Sequence, residues 1–196
     1  MTARTTLMIV AVAALVGWFA NDAFTEDPKP PTEQEMWAKM GELGQPGEPH
    51  KHLARLAGDW TAESTMYSSM GEMKAEATAK NEVVHGGRYI EMSYDSEFMG
   101  QPFTGSGFVG YDNFQKQYQM LWVDSMGSAM TFATGTCSAD NSVLTFKYTM
   151  PSPWGDFDAR MVYTFKTADE VLLEMYSKMK GGEEKKDMTI VYTRKK

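Results

Sequence analysis

Beyond Trp60 the chain repeats one pattern almost to its end: a segment of alternating apolar and polar side chains, then a turn rich in glycine, proline, asparagine or aspartate. Ten such segments can be read, roughly Trp60 to Tyr67, Met73 to Val84, Arg88 to Phe98, Phe103 to Tyr111, Gln117 to Asp124, Ala129 to Ser138, Val143 to Met150, Phe157 to Lys166, Val171 to Lys180 and Lys185 to Arg194. Successive side chains leave a pleated strand on opposite sides, so a period of two marks a strand with one buried face. The sets Leu144/Phe146/Tyr148/Met150, Phe157/Ala159/Met161/Tyr163/Phe165, Val171/Leu173/Met175 and Met188/Ile190/Tyr192 each predict such a face. The connections, among them Gly86-Gly87, Asp112-Asn113, Asp140-Asn141 and Gly181-Gly182, are short, and short connections join antiparallel neighbours. No long helix is available to cover the sheet, and strands left in an open sheet would expose two unpaired edges. The pattern therefore predicts an all-β protein, an antiparallel up-and-down barrel of about ten strands.

The run His50-Lys51-His52-Leu53-Ala54-Arg55-Leu56-Ala57-Gly58-Asp59-Trp60 precedes the first strand. It predicts a short apolar helix that closes one end of the barrel and feeds a Gly-x-Trp step into the sheet. Gly58 lets the chain turn sharply there, and the Trp60 indole fills the closed end.

His50-x-x-Leu53-x-x-Leu56-x-Gly58-Asp59-Trp60, with Gly110-Tyr111-Asp112 after the fourth segment and Trp122-Val123-Asp124-Ser125-Met126 at the end of the fifth, resembles the bacterial domain of unknown function 1579 family over about His50 to Lys196. That family is similar in layout to the calycins, which include lipocalins, fatty-acid-binding proteins and nitrobindin-like haem barrels. The resemblance implies a calycin-like barrel and leaves the activity open, because the family's own is unassigned. Lipocalin-like barrels set a basic residue from the end of the last strand against the closing Trp, and Arg194 stands in that place here. A guanidinium over the Trp60 indole is worth about 0.5–2 kcal/mol. The competing reading makes Arg194 a solvated C-terminal charge.

At the other end, Arg4 is followed by an unbroken apolar run from Leu7 to Ala20 and then by Asn21 and Asp22. A globular helix would show a polar face, so residues 1–22 read as a signal peptide; the alternative is an N-terminal membrane anchor, because Trp18-Phe19-Ala20 puts bulk near the cleavage position. The chain is accordingly expected to be exported, periplasmic or extracellular, or membrane-anchored by the uncleaved segment. Residues 23–49 read as an acidic, proline-rich tether. Within it Thr32-x-x-Glu35 predicts a capping box that opens a helix to Met40, with Met36, Trp37 and Met40 resting on the domain. Residues 50–196 are the barrel. A net charge of −7 repels phosphate backbones and excludes nucleic acid as a partner, and a membrane is expected only through the N-terminal segment. Cys137 is the single cysteine, so packing alone stabilises the domain.

Residues that could carry chemistry are few. His50 and His52 diverge on a helix and read as a cap or surface pair, and His85 reads as an exposed turn residue. No histidine follows His85, which argues against haem, and no metal site or cofactor is expected. Among Glu91, Asp95, Asp112, Asp124 and Glu174, Asp112 reads as a turn former. Asp124 shares a strand face with Tyr118, Met120 and Trp122 and points toward the barrel mouth, which makes it the carboxylate to watch; its other reading is a strand-end cap. The seventeen methionines include Met66, Met70 and Met73 about the first hairpin and Met126 and Met130 about another. Thioethers can hold Cu(I), but they more often line adaptable apolar pockets, and that reading is preferred.

These features predict binding or carriage of a small apolar or amphipathic ligand inside the barrel. The expected lining is Met92 and Tyr94 from the third segment, Tyr118, Met120 and Trp122 from the fifth, Phe132 from the sixth, Phe146 and Tyr148 from the seventh, and Met161 and Tyr163 from the eighth. An enzyme using Asp124 with an inward tyrosine or Arg160, and a structural envelope protein with a filled barrel, are the alternatives. The sequence offers no visible nucleophile and base pair, which favours binding.

Overall fold

The structure, a computed structural model, describes residues 29–196; the expected signal or anchor segment lies outside the described residues. Helix α1 (Glu33–Leu43) and helix α2 (Glu48–Leu53) lead through a 3-10 turn (Ala54–Leu56) into ten strands: β1 (Gly58–Ser68), β2 (Gly71–Val84), β3 (Tyr89–Phe98), β4 (Gln101–Asp112), β5 (Gln117–Asp124), β6 (Thr131–Cys137), β7 (Val143–Met150), β8 (Phe157–Phe165), β9 (Glu170–Met179) and β10 (Lys185–Arg194). Each strand pairs antiparallel with its neighbour in sequence, and β1 pairs with β10 from Trp60 opposite Arg194 to Met66 opposite Met188, so the sheet closes on itself.

The predicted parity holds along the strands. Leu144 and Phe146 on β7, Met161 and Tyr163 on β8, and Val171 and Leu173 on β9 are buried inside, while the outer face carries residues such as Lys147, Asp158 and Lys178. A register shift between Lys186 and Met188 in β10 keeps Met188, Ile190 and Tyr192 on the inner side. Strand β6 is shorter than the sequence suggests. Ser125 turns back onto β4, with its N–H donating to Thr104 O at 2.9 Å and its hydroxyl accepting from Thr104 N at 3.1 Å, so the chain rejoins the sheet only at Thr131.

The closed end is a packed plug. The side chains of Leu53, Trp60, Leu144 and Phe146 there are almost wholly enclosed. The Trp60 indole N–H donates to Leu56 O at 2.9 Å, and Asn81 Nδ2 donates to the same carbonyl at 2.9 Å. Arg194 stacks on the indole with its guanidinium carbon 4.1 Å from the ring centre. It also donates to Ala57 O and to Arg55 O, the latter at 2.9 Å, and its Nε lies 3.3 Å from Asp169 Oδ1. The lipocalin-type pairing is therefore present, and Arg194 also holds carbonyls of the plug. Gly58 is required at this junction: its φ is +125°, and a Cβ would stand 2.3 Å from Arg194 Nη1.

Further ties fix the plug to the hairpins around it. Arg88 Nε donates to Gly44 O at 2.7 Å, Asn113 Nδ2 donates to Leu43 O at 2.7 Å, and Arg55 Nη1 donates to Asn141 O at 2.9 Å. Helix α1 opens on the Thr32/Glu35 capping box and runs past Met40 to Leu43. Met36, Trp37 and Met40 are exposed rather than resting on the barrel, because only the C-terminal end of α1 and the loop after it are held to the domain.

Candidate functional site

Away from the plug the barrel is hollow. A cavity of about 930 Å³ runs from Trp60 and Leu56 at its floor to a mouth ringed by the β1–β2, β3–β4, β5–β6, β7–β8 and β9–β10 hairpins. That volume lies at the upper end of the roughly 300–1,000 Å³ typical of small-molecule pockets. A barrel packed solid, one of the alternatives read from the sequence, is not what the chain forms.

The inner face of β4 explains part of the space. Gly105 and Gly107 present no side chains, and the Trp122 ring of β5 lies across them; a Cβ at Gly105 would stand 2.2 Å from Trp122 Cζ2. The indole N–H donates to Asp124 Oδ2 at 3.2 Å, and Asp124 Oδ1 accepts from Met126 N at 2.9 Å. Asp124 thus lines the mouth and also caps its own turn, the two positions that the sequence offered as alternatives. Its oxygens hold an indole and a backbone amide, with no basic side chain among those partners.

Tyr94, Tyr148, Tyr163 and Tyr192 line the wall. Burial pushes each phenol above its ordinary range, most strongly for Tyr163 and Tyr192, which also feel neighbouring tyrosines. All four are neutral near pH 7 and able to donate a hydrogen bond inside an apolar chamber. Met73, Met66, Met188 and Met175 stand opposite one another in register across β2, β1, β10 and β9 and form a thioether strip on one side of the mouth. The sequence grouped methionines by hairpin; the barrel regroups them, leaving Met70 exposed at a tip while Met66 and Met73 face inward. Among the described residues no group of three or more His, Cys, Asp or Glu is placed to hold a metal ion.

Of the expected lining, Met92, Tyr94, Met120, Trp122, Tyr148, Met161 and Tyr163 border the cavity. Three others do not. Phe132 is 69% exposed on the outer face of β6, because inward positions 131, 133, 135 and 137 are taken by Thr, Ala, Gly and Cys. Gly135 is small because Phe146 of β7 packs against it, where a Cβ would stand 2.7 Å from the ring. Phe146 and Tyr118 are inward but sit in the packed base below the cavity floor. Arg160, the suggested partner of Asp124 in a reaction, is also outside: its carbon lies 3.8 Å from the Tyr176 ring centre, and Nη2 pairs with Glu184 at 2.6 Å. Glu174 pairs with Lys186 on the same outer surface, and Asp112 forms the expected turn by accepting from Phe114 N at 2.7 Å.

The histidine pair differs from expectation. Both rings are buried, because α2 turns this face onto the barrel end. His50 Nδ1 accepts from Gly47 N at 3.0 Å, a capping role. His52 Nε2 lies 2.9 Å from Asn141 O, which can only accept, so the proton is on Nε2 and Nδ1 is bare. That bare nitrogen faces Tyr118 Oη at 3.5 Å and Cys137 Sγ at 3.7 Å. Sequence reasoning saw no thiol and base together because 85 residues separate them. Burial raises the Cys137 thiol and pushes the Tyr118 phenol up to about 12, while it lowers His52, so the cluster is neutral and serves the base as a hydrogen-bond knot.

The crystal structure of Rv2717c from M. tuberculosis has a similar fold, at 12% identity and a TM-score of 0.57, covering 78% of this chain and 100% of the other. The S-type phycobiliprotein lyase CPES from Guillardia theta is similar at 13% identity and a TM-score of 0.51, covering 80% of this chain and 97% of its own. At such identities the likeness speaks for the calycin-like fold alone. No curated protein matches the chain. The family model described as a protein of unknown function (DUF1579) matches residues 45–194, the barrel with the plug that closes it, and the chain belongs to that family.

Proposed function

We propose that this protein binds and carries a small amphipathic molecule, its apolar body among the methionines and Trp122 and its polar end hydrogen-bonded to one or more of the four neutral phenols. The observation that carries this reading is the hollow interior: a core left open costs dispersion contacts and apolar burial, which a merely structural barrel would recover by filling it. A similarly folded barrel that is a phycobiliprotein lyase is consistent with small-molecule binding here. The apolar N-terminal run supports a carrier that is exported, or anchored to the membrane by that segment if it stays uncleaved. Asp124 serves as a mouth group that meets polar or cationic heads.

The test is to extract purified native protein with organic solvent and identify bound molecules by mass spectrometry, then titrate the emptied protein with fluorescent fatty-acid analogues. Saturable 1:1 binding is expected. Met161→Trp, which fills the cavity, should abolish it, and Phe132→Ala on the outer face should leave it intact. No extracted ligand together with no saturable binding, or binding indifferent to Met161→Trp, overturns the proposal.

A further inference from the structure

The five hairpins around the mouth share a composition that the cavity does not require. Their tips carry Met70 (84% exposed) on β1–β2, Met99 (73%) on β3–β4, Met126 and Met130 on β5–β6, Trp154 (80%) on β7–β8 and Met179 on β9–β10. Four of the five are also free of charge: residues 67–71, 98–104, 125–134 and 148–155 contain no Asp, Glu, Lys or Arg. The hairpins at the closed end are different. They carry Arg88, Lys116, Asp140 and Asp169, and Phe114 and, at the start of β3, Tyr89 are large exposed apolar side chains there. One end of the barrel is thus a mostly polar surface, and the other is a ring of apolar points with charges held back from four of its five hairpins.

We infer that this rim docks on a lipid bilayer, the hairpin tips entering the interface and the cavity mouth facing the hydrocarbon. Uncharged tips enter an apolar medium without desolvating an ion. The points stand apart around an opening and, Trp154 excepted, are unbranched methionines; a fluid medium fills the spaces between them, whereas a folded partner would need a surface cut to match. Trp154 is held out between Pro153 and Gly155 and supplies the indole that favours the headgroup level of membranes. The fifth hairpin is the charged one: Lys178 lies 3.9 Å from Asp158 and Glu184 pairs with Arg160, while Lys180 and Glu183 are exposed beside Met179. This hairpin therefore stands at the edge of the contact, where Lys180 can reach lipid phosphates. Phe132, turned outward beside Met130, extends the apolar belt down the outer wall. This contact is additional to any made by residues 1–22.

Docking in this orientation also gives the carried molecule a path. Met99, Met126 and Met150 belong both to the cavity lining and to the exposed rim, so apolar surface is continuous from the chamber to the tips. A ligand would pass between cavity and bilayer without crossing water. That step rests on the carriage reading above; the docking itself does not.

The experiment uses the full chain on a Cys137→Ser background, with a polarity-sensitive fluorophore on a cysteine replacing Met70 or Met99 at the rim, or Ala139 at the closed end. The probe surface is phosphatidylcholine vesicles containing nitroxide lipid and no added ligand. Because the N-terminal run could itself hold the chain at a vesicle, the readout is which end touches the bilayer rather than attachment. Rim labels should shift to the blue and lose at least about half their emission, with the closed-end label unchanged. Adding Met99→Asp and Met126→Asp should abolish quenching at the Met70 label while circular dichroism and melting stay those of the folded barrel. Equal quenching at both ends, or at neither, overturns the inference. So does shielding of the rim labels without vesicles together with a doubled mass in sedimentation, which would assign the rim to a second copy of the chain. Rim quenching by a protein that binds no fatty-acid probe would retain the docking and remove the carriage; probe binding without rim quenching would do the reverse.

Discussion

Replacing Arg194 with alanine should be among the most damaging changes available on the surface of this protein, and the structure sets the size of the effect. The guanidinium lies 4.1 Å from the Trp60 ring centre, a contact worth about 0.5–2 kcal/mol. It also donates to Arg55 O, Ala57 O and Ala168 O. Hydrogen bonds from a charged donor are worth about 1.5–3 kcal/mol each when buried, but the Arg194 side chain is 28% exposed and water can reach several of the freed carbonyls, so only a fraction is lost. A net cost of about 2–4 kcal/mol follows, and a melting temperature lower by on the order of 10 °C. The assay is urea unfolding followed by tryptophan emission, with Lys195→Ala as the control and Arg194→Lys as the intermediate case. Lysine keeps the charge but cannot hold carbonyls in several directions from a planar fork, so Arg194→Lys should recover less than half of the loss. Equal and negligible effects of Arg194→Ala and Lys195→Ala would show that the latch contributes nothing, and the reasoning would fail.

Burial lowers both His50 and His52, so on acidification the unfolded chain takes up these protons first; stability should be complete above about pH 6.5 and fall below it, until the folded-state values are reached, by up to about 1.4 kcal/mol per pH unit per histidine. Unfolding curves between pH 7.5 and 5 measure this slope, and His52→Gln should make it shallower; an unchanged slope refutes the assignment. Gly107→Ala should cost about 2–4 kcal/mol because a Cβ there would stand 2.2 Å from Leu121 O, whereas Gly127→Ala, in open space, should cost almost nothing. Trp122→Ala should weaken binding of fluorescent fatty acids, and Asp124→Asn should alter it only for ligands with a polar or cationic head. A chemical turnover lost on Asp124→Asn alone would instead favour an enzyme at the mouth.

What was legible in the sequence was parity. The alternation on β5 places Tyr118, Met120, Trp122 and Asp124 on one face, and the strand follows it. The same rule failed for Phe132 because side-chain size pointed the wrong way. On β6 the inner positions are small so that Phe146 from the next strand can occupy the interior, and the large residue is left outside. Alternation identifies two faces; which one is inner depends on the neighbour across the ladder. The Gly105-x-Gly107 step opposite Trp122 was a readable sign of this kind, since glycines at inward positions mark where an adjacent ring must lie. The meeting of His52 with Cys137 had no local sign, because it depends on where the plug lands on the finished barrel. Whether the interior is hollow was likewise beyond the pattern, which sets the direction of side chains but not the radius they must fill.

The pairing of β1 with β10 has a consequence for how the chain is made. Every other ladder joins strands that are neighbours in sequence, so hairpin after hairpin can form as the polypeptide emerges, at little cost in chain entropy. The whole separation from Trp60 to Arg194 is charged to a single seam, and its second half is the last strand produced. Until β10 is in place the molecule is a curled sheet with two bare edges, the form most open to pairing with another chain. Loss of the last few residues would therefore act as a topological lesion: without Arg194 and its strand the product is an open sheet with an unlatched plug.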